Sequence, residues 1–360
     1  MSVQHRAALH GLGWDQWFMD RFASAEADGV PGRVVADHGL TKAVHTGHAL
    51  HQADVARRLT QVAPGADPIL PAVGDWVVLR PRPGLDVIEA VLERRTAFRR
   101  RAASYGGRES QEQVLAANVD VVFVMVAADS PRNLRRIERY LAVASGSGAR
   151  PAVLLSKADL ALDLNRSREQ AREVSAGTPV IAVSSVNGLG VDDVRAALDR
   201  GQTGVLLGPS GSGKSTLLNA LLESTAMLTG EVRADGKGRH TTSHRQLFQL
   251  PGGGMLIDTP GLRELQLWTD TIDLERLFAD VEELAARCRF SDCGHDREPG
   301  CAVKDAIAEG RLSPLRLRSY RLLQEEGTAV EHHVASRRNR AVNKAWRRYI
   351  ADRREEDLGS

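Results

Sequence analysis

Gly208-Pro209-Ser210-Gly211-Ser212-Gly213-Lys214-Ser215-Thr216 stands between the apolar run Val205-Leu206-Leu207 and the stretch Leu217-Leu218-Asn219-Ala220-Leu221-Leu222. The order predicts a strand, a glycine-rich loop and a helix. The spacing Gly208-x4-Gly213-Lys214-Ser215 turns successive backbone N–H groups into one hollow. It also places Lys214 against β- and γ-phosphate oxygens and leaves the Ser215 hydroxyl for Mg²⁺. The full consensus in this setting predicts a nucleoside-triphosphate site over residues 208–216, and leaves the base open.

Working outward, apolar runs alternate with helical stretches. Val119 to Ala127 is an apolar run broken only by Asp120 and suited to a strand buried on both faces, and Leu134 to Ala144 has helical periodicity. Ala152 to Leu155 and Val180 to Val183 are further strands, and a helix from Val191 to Leu198 leads back to the phosphate loop. This alternation predicts a doubly wound α/β sheet with ligands at the carboxyl ends of its strands. Ser156-Lys157-Ala158-Asp159 closes one strand and looks like the guanine-reading element of GTPases, with Asp159 accepting from the base N1–H and N2 amino group. Ser184 and Ser185 close another and fit the loop whose N–H contacts guanine O6. Met255 to Gly261 is an apolar strand ending in Asp-x-x-Gly. Asp258 is expected to hold Mg²⁺ through water, and the Gly261 N–H to sense the γ-phosphate. Between these parts, Gly238 to Thr242 is a polar stretch able to supply Thr241 or Thr242 to Mg²⁺. The base-reading residues precede the phosphate loop, so the order reads as a circularly permuted GTPase domain.

On the N-terminal side, Trp14, Trp17, Phe18 and Phe22 have roughly helical spacing and predict a short amphipathic helix packed on a neighbouring domain. From Gly32 to Arg101 short β-prone runs are broken by Gly and Pro, which predicts a small all-β barrel of the OB type. Arg94, Arg95, Arg99, Arg100, Arg101 and Arg108 follow, as a linker or a phosphate-contacting segment. On the C-terminal side, Cys288-x4-Cys293-x-His295-x5-Cys301 uses all three cysteines of the chain. Four soft or borderline ligands suit a closed tetrahedral Zn²⁺ site, structural because no position is left open. Residues 303–325 look helical, and the tail beyond Val334 carries Arg337, Arg340, Lys344, Arg347 and Arg348 at spacings of three and four.

With 360 residues the chain can hold several domains. The expected bounds are 1–24 for the N-terminal segment, 25–102 for the barrel, 103–270 for the GTPase domain and 271–360 for the helical zinc domain with its basic tail. A net charge of +2 hides the two basic clusters, which suit a polyanion. No apolar run approaches the roughly 18 residues of a membrane span, and residues 1–21 have no signal-peptide core. A cytoplasmic protein is the expectation.

These residues together closely resemble the circularly permuted, ribosome small-subunit-dependent GTPase A family of bacteria, over nearly the whole chain. The resemblance is carried by Pro71 to Val77 in the barrel, Gly238 to Arg245, Asp258 to Glu264, and Cys288 to His295 with Glu298 to Val303. It implies an OB-fold, a permuted GTPase domain, one structural Zn²⁺ per chain, Mg²⁺ with GTP, and late maturation of the 30S ribosomal subunit with rRNA as the contacted surface. A monomer that binds GTP and GDP and no membrane is expected. Ser156 stands where the family more often has Asn, a loss on the order of 1 kcal/mol, and Ser212 where Val is common. Leu262 follows Gly261 where many GTPases carry a water-orienting glutamine, so hydrolysis by the free protein is expected to be slow, with His240 the candidate catalytic side chain. An ATP-driven transporter subunit is the main rival. The chain lacks a Leu-Ser-Gly-Gly signature, and Thr259, not an acid, follows Asp258. The other rival is an RNA-binding assembly factor in which nucleotide only switches affinity.

Overall fold

The computed structural model describes residues 3–25, 28–61, 68–101, 112–129, 134–175, 177–222, 245–258 and 278–312, with 314, 316–318, 320, 321 and 324. They divide into two compact units, 1–266 and 267–360.

In the first unit, five strands close a barrel: β1 (Val30–Asp37), β2 (Lys42–His45), β3 (Leu50–Val55), β4 (Trp76–Arg80) and β5 (Asp86–Val91). The order is β1-β2-β3-β5-β4 and back to β1, with β3 and β5 parallel and the other pairs antiparallel. Alternate residues turn inward, so Val34, Val44, Ala53, Val77, Leu79 and Ile88 form a dry centre. A short helix, α3 (Arg57–Thr60), follows β3. The expected all-β barrel is present, and closure removes free strand edges.

β1 does more than close the barrel. Its first half pairs with β4, and a bulge between Val34 and Ala36 bends it so that Ala36 and Asp37 also pair with Gln246 and Arg245 of β12 (Arg245–Gln249). Through that pairing the barrel is continuous with a second layer of strands. These are β8 (Val121–Ala127), β9 (Arg150–Ser156), β10 (Val180–Ala182), β11 (Thr203–Leu207) and β13 (Met255–Asp258), in the order β10-β9-β8-β11-β13-β12. The first five are parallel and β12 is antiparallel to β13. Parallel strands need crossovers, supplied by α4 (Leu134–Gly146), α5 (Leu164–Val174) and α6 (Val191–Ala196), while α7 (Lys214–Leu222) follows the phosphate loop. α7 buries Leu217, Leu218, Leu221 and Leu222, spaced at three and four, against Phe123, Leu154 and Leu206. Each such leucine contributes about 1.5–3 kcal/mol. The expected doubly wound sheet is present, with β8, its first strand in sequence, lodged in the middle beside β11.

Two expectations change here. The N-terminal segment is two helices, α1 (Val3–His10) and α2 (Gln16–Ser24), not one, and Asp15 caps the second by accepting from Phe18 N–H at 3.3 Å. Trp14 lies between them and meets Trp76 of the barrel edge-on, with centroids 4.6 Å apart, so the aromatic set is core packing as expected. The arginine-rich segment is not a free linker either. β6 (Ala97–Arg101) pairs antiparallel with β7 (Glu112–Ala117). Arg94 sends two 2.7 Å hydrogen bonds to the fully buried Asp75, and Arg95 donates to Asp15 while lying over Trp17 and Phe18. Both arginines are engaged by carboxylates of the fold, Arg94 in the interior and Arg95 at the surface.

The second unit has α8 (Ala279–Ala285), a cysteine-bearing loop and α9 (Ala302–Ala308). Its small core holds Phe278, Val281, Val303, Ala306 and Tyr320. Arg316 grips Asp280 with two 3.0 Å bonds and lies 4.2 Å over the Phe278 ring. The basic tail, residues 337–354, lies outside the described residues.

Candidate functional site

The parallel strands deliver their carboxyl ends to one edge of the sheet, and the described residues of the predicted nucleotide site stand there. β11 ends at Leu207 and the phosphate loop turns over β8. A methyl group at Gly208 would sit 2.2 Å from the Met125 carbonyl oxygen, so only glycine lets the loop approach β8 this closely. Gly213, at φ +92°, turns the chain into α7 in a conformation other residues rarely adopt. Lys214 folds back over the loop, its Nζ donating to the Gly208 and Pro209 carbonyls at 2.7 Å each. The loop is therefore shaped by the protein itself.

Ser156 ends β9 and is 2% exposed. Its hydroxyl donates to the Ser212 carbonyl of the phosphate loop at 2.8 Å and lies 3.1 Å from the Val126 carbonyl of β8. A serine at this position thus ties the turn at 156–159 to the phosphate loop. Lys157 has φ +55°, uncommon outside glycine and a feature of functional turns, and starts the 3₁₀ turn Ala158–Leu160 that presents Asp159 exposed. Ala158 N–H donates to Val183 O at 3.2 Å, joining this turn to the Ser184-Ser185 loop. Buried Ser184 shapes that loop, its Oγ accepting from Val186 and Asn187 N–H at 3.3 and 3.4 Å, and Ser185 is half-buried.

Asp258 is the last residue of β13, which pairs parallel with β11, and Ser215 lies in the first turn of α7. Both are hard oxygen donors at the same edge, the chemistry that suits Mg²⁺. The structure describes Ser156, Lys157, Asp159, Ser184, Ser185, 208–216 and Asp258. His240, Thr241, Thr242 and Gly261 lie outside the described residues.

In the second unit, Cys288, Cys293, His295 and Cys301 bring one ligand atom each within 4.8 Å of one another. Cys288 Sγ is 3.9 Å from Cys301 Sγ and 3.6 Å from His295 Nδ1, which is 3.5 Å from Cys301 Sγ. Tetrahedral Zn–S bonds of about 2.3 Å place sulfurs about 3.8 Å apart, so the donor set and its spacing fit that ion. Burial raises the Cys288 thiol, but the Val303 and Ala302 N–H groups and the adjacent thiols outweigh it and hold it below its ordinary value. Desolvation, with Cys301 and Cys288, pushes Cys293 up to about 11 against the His295 N–H. Burial first, then Arg321, pushes His295 below 6.5, keeping the imidazole in the neutral form a metal needs. Sulfurs this crowded ionise together only around a cation. Glu298 braces the loop by accepting from Gly294, Asp296 and Arg297 N–H at 3.1, 2.9 and 3.0 Å.

Residues 91–268 match the family model described as RsgA GTPase. Over 369 aligned positions the chain is 44% identical to the small ribosomal subunit biogenesis GTPase RsgA of Opitutus terrae, covering 96% of this chain and 97% of that protein. The chain belongs to the RsgA GTPase family. A Streptomyces coelicolor RsgA is also 44% identical, over 96% of this chain and 94% of its own. The crystal structure of YjeQ from Thermotoga maritima superimposes with a TM-score of 0.63 at 27% identity, covering 83% of this chain and 98% of that one. YloQ, a circularly permuted GTPase, superimposes with a TM-score of 0.60 at 23% identity, over 85% of this chain and 97% of that one, and shares the fold. Sequence reasoning missed the Ser156 to Ser212 link because a backbone carbonyl leaves no trace in residue type.

Proposed function

We propose that this chain hydrolyses GTP to GDP and phosphate while assisting late maturation of the small ribosomal subunit. The observation that carries the proposal is the 44% identity, over almost all of both chains, to proteins named for small ribosomal subunit biogenesis. Asp159 reads guanine, with Ser184 and Ser185 forming the facing loop and Ser156 and Lys157 positioning the turn. The phosphates lie in the hollow of 208–216, where N–H groups and Lys214 spread the charge that develops on the transferred group. Ser215 and Asp258, with Thr241 or Thr242, hold Mg²⁺, which neutralises phosphate oxygens when bound. Gly261 senses the γ-phosphate. His240 is the side chain proposed to position the attacking water, since Leu262 can neither donate nor accept.

Cys288, Cys293, His295 and Cys301 hold one structural Zn²⁺. The domain bounds are 25–102, 103–270 and 271–360, the protein acts as a monomer in the cytoplasm, and rRNA is the surface it meets. No helix among the described residues is long and apolar enough to cross a membrane. Co-sedimentation with 30S, 50S and 70S particles, in GDP and in a non-hydrolysable GTP analogue, tests partner and switch together. Selective pelleting with 30S in the GTP-like state is expected, and equal pelleting in both nucleotide states refutes the switch.

A further inference from the structure

The barrel meets the nucleotide edge of the sheet along one row of residues. Gln246 of β12 pairs on one side with Asp258, the last residue of β13, and on the other with Ala36 of β1, which pairs in turn with Ala43 of β2. Two strand spacings of about 4.8 Å put Ala36 roughly 10 Å from Asp258. The row is not free to slip, because Leu247 and Phe248 of β12 and Leu256 and Ile257 of β13 are buried, and a change of register would turn them out. A shift at Asp258 is therefore carried to Ala36 or breaks a backbone pair.

Side chains extend the row at its next step. Asp37 stands opposite Arg245, which lies three positions after Thr242. One Asp37 oxygen, Oδ1, holds the turn between β1 and β2, accepting from Gly39 N–H at 2.9 Å and from the buried Lys42, whose Nζ also donates to the Gly39 carbonyl at 2.9 Å. The other, Oδ2, faces Arg245 Nη1 at 3.8 Å, with the two side chains 20% and 15% exposed. An ion pair so shielded is screened less than one in open water. A single carboxylate thus serves both the turn and β12. The tip of that turn is open to solvent, with Leu40 91% exposed.

β1 is built to let one half move. Residues 30–33 pair with β4 and residues 36–37 with β12, and the bulge between Val34 and Ala36 separates the two halves. Arg33 pins the first half, donating to the Leu12, Gly74 and Asn118 carbonyls, Thr203 Oγ1 and Met255 Sδ. Movement passed from β12 is confined to the second half and to the turn beyond it.

We propose that the barrel turn 38–41 is a surface that reports the state of the nucleotide site through Asp258, Gln246, Arg245 and Asp37. The inference rests on the reading of Asp258 as a holder of Mg²⁺ with GTP: when Asp258 is engaged, β12 and the turn are held with it. Asp37 and Arg245 are positioning residues in this link. Coupling is reciprocal, so contact that holds the turn tightens GTP over GDP by the same factor.

Hydrogen exchange read by mass spectrometry tests this on the full chain in Mg²⁺, with GDP or a non-hydrolysable GTP analogue, after calorimetry has measured binding of both. Exchange at 37–42 is expected to slow at least about threefold in the analogue, while the β4–β5 hairpin, whose strands pair within the barrel, is unchanged. Arg245→Gln, which leaves the backbone pairs in place, is expected to remove at least about half of that difference, and Arg245→Lys to restore it. The comparison of the two hairpins in the unaltered protein needs no variant. Equal exchange in both nucleotides, equal slowing of both hairpins, or a difference indifferent to Arg245→Gln overturns the proposal. Absence of guanine-nucleotide binding in the calorimetry refutes the GTPase reading itself, and the inference with it.

Discussion

The phosphate loop and the cysteine loop both bend the chain so that polar groups converge, yet they are held by opposite means. The first is fixed by the protein: Gly208 lies against the Met125 carbonyl, Lys214 caps the carbonyls at the start of the loop, Ser156 reaches Ser212, and α7 buries four leucines beneath. The second has little beneath it. Arg289, Ser291, Asp292, Gly294, Asp296 and Arg297 are exposed, and the donor atoms of three cysteines and a histidine crowd together in its middle. Preorganised backbone can wait for its ligand. A loop whose centre is three thiols and an imidazole is expected to need a cation in order to fold.

The largest effect expected from this contrast follows removal of the metal. Metal analysis should find about one zinc per chain. Cys293→Ala, or chelation, should melt the second unit, because metal binding supplies on the order of 10 kcal/mol to such small domains. Guanine-nucleotide binding should survive, as read by limited proteolysis beside a nucleotide titration. A metal-free native protein with unchanged proteolysis breaks the comparison from one side.

Gly208→Ala attacks it from the other. The added methyl meets backbone that cannot step aside, so an overpacking cost of about 1–3 kcal/mol is expected. Calorimetric titration should show GTP affinity lowered at least about tenfold with zinc content intact; unchanged affinity means that the loop is less rigid than its contacts imply.

Asp159→Asn should move preference from guanine to xanthine nucleotides, since an amide can donate to the O2 that replaces the N2 amino group. The affinity ratio of GTP to XTP measures it, and an unaltered ratio takes Asp159 out of base reading. The smallest change is Ser156→Ala, which removes one hydroxyl between the base-reading turn and the phosphate loop. About 0.5–1.5 kcal/mol of nucleotide affinity is at stake. Ser156→Asn should recover it, and a neutral Ser156→Ala would show that the link to Ser212 is dispensable.

How much of this the sequence discloses follows the same division. The strand, glycine loop and helix at 205–222 are local, and the cluster of three cysteines and a histidine declares itself by residue type. Interactions across long separations do not. β3 (Leu50–Val55) carries His, Gln and Asp on a half-exposed barrel strand and lacks a clean apolar pattern. β6 hides in an arginine run that reads as solvated, though Arg99 pairs in register with Val114. β12 is a short strand between β13 and β1 whose role, joining barrel to sheet through Ala36 and Gln246, depends on residues 210 positions apart. Arg33 reads as an exposed residue of β1. Its burial becomes visible only when Leu12, Asn118 and Thr203 arrive from three other segments.

The central proposal is a GTPase whose chemistry is completed by its partner, since a leucine at 262 cannot orient water and phosphoryl transfer depends on positioning. Steady-state GTP hydrolysis at saturating nucleotide, measured with and without purified 30S subunits, tests this most directly. Turnover should rise at least about tenfold with 30S, a barrier lowered by roughly 1.4 kcal/mol, and His240→Ala should blunt that rise more than it lowers nucleotide affinity. A rate that ignores 30S, or hydrolysis of ATP as fast as GTP, would contradict it.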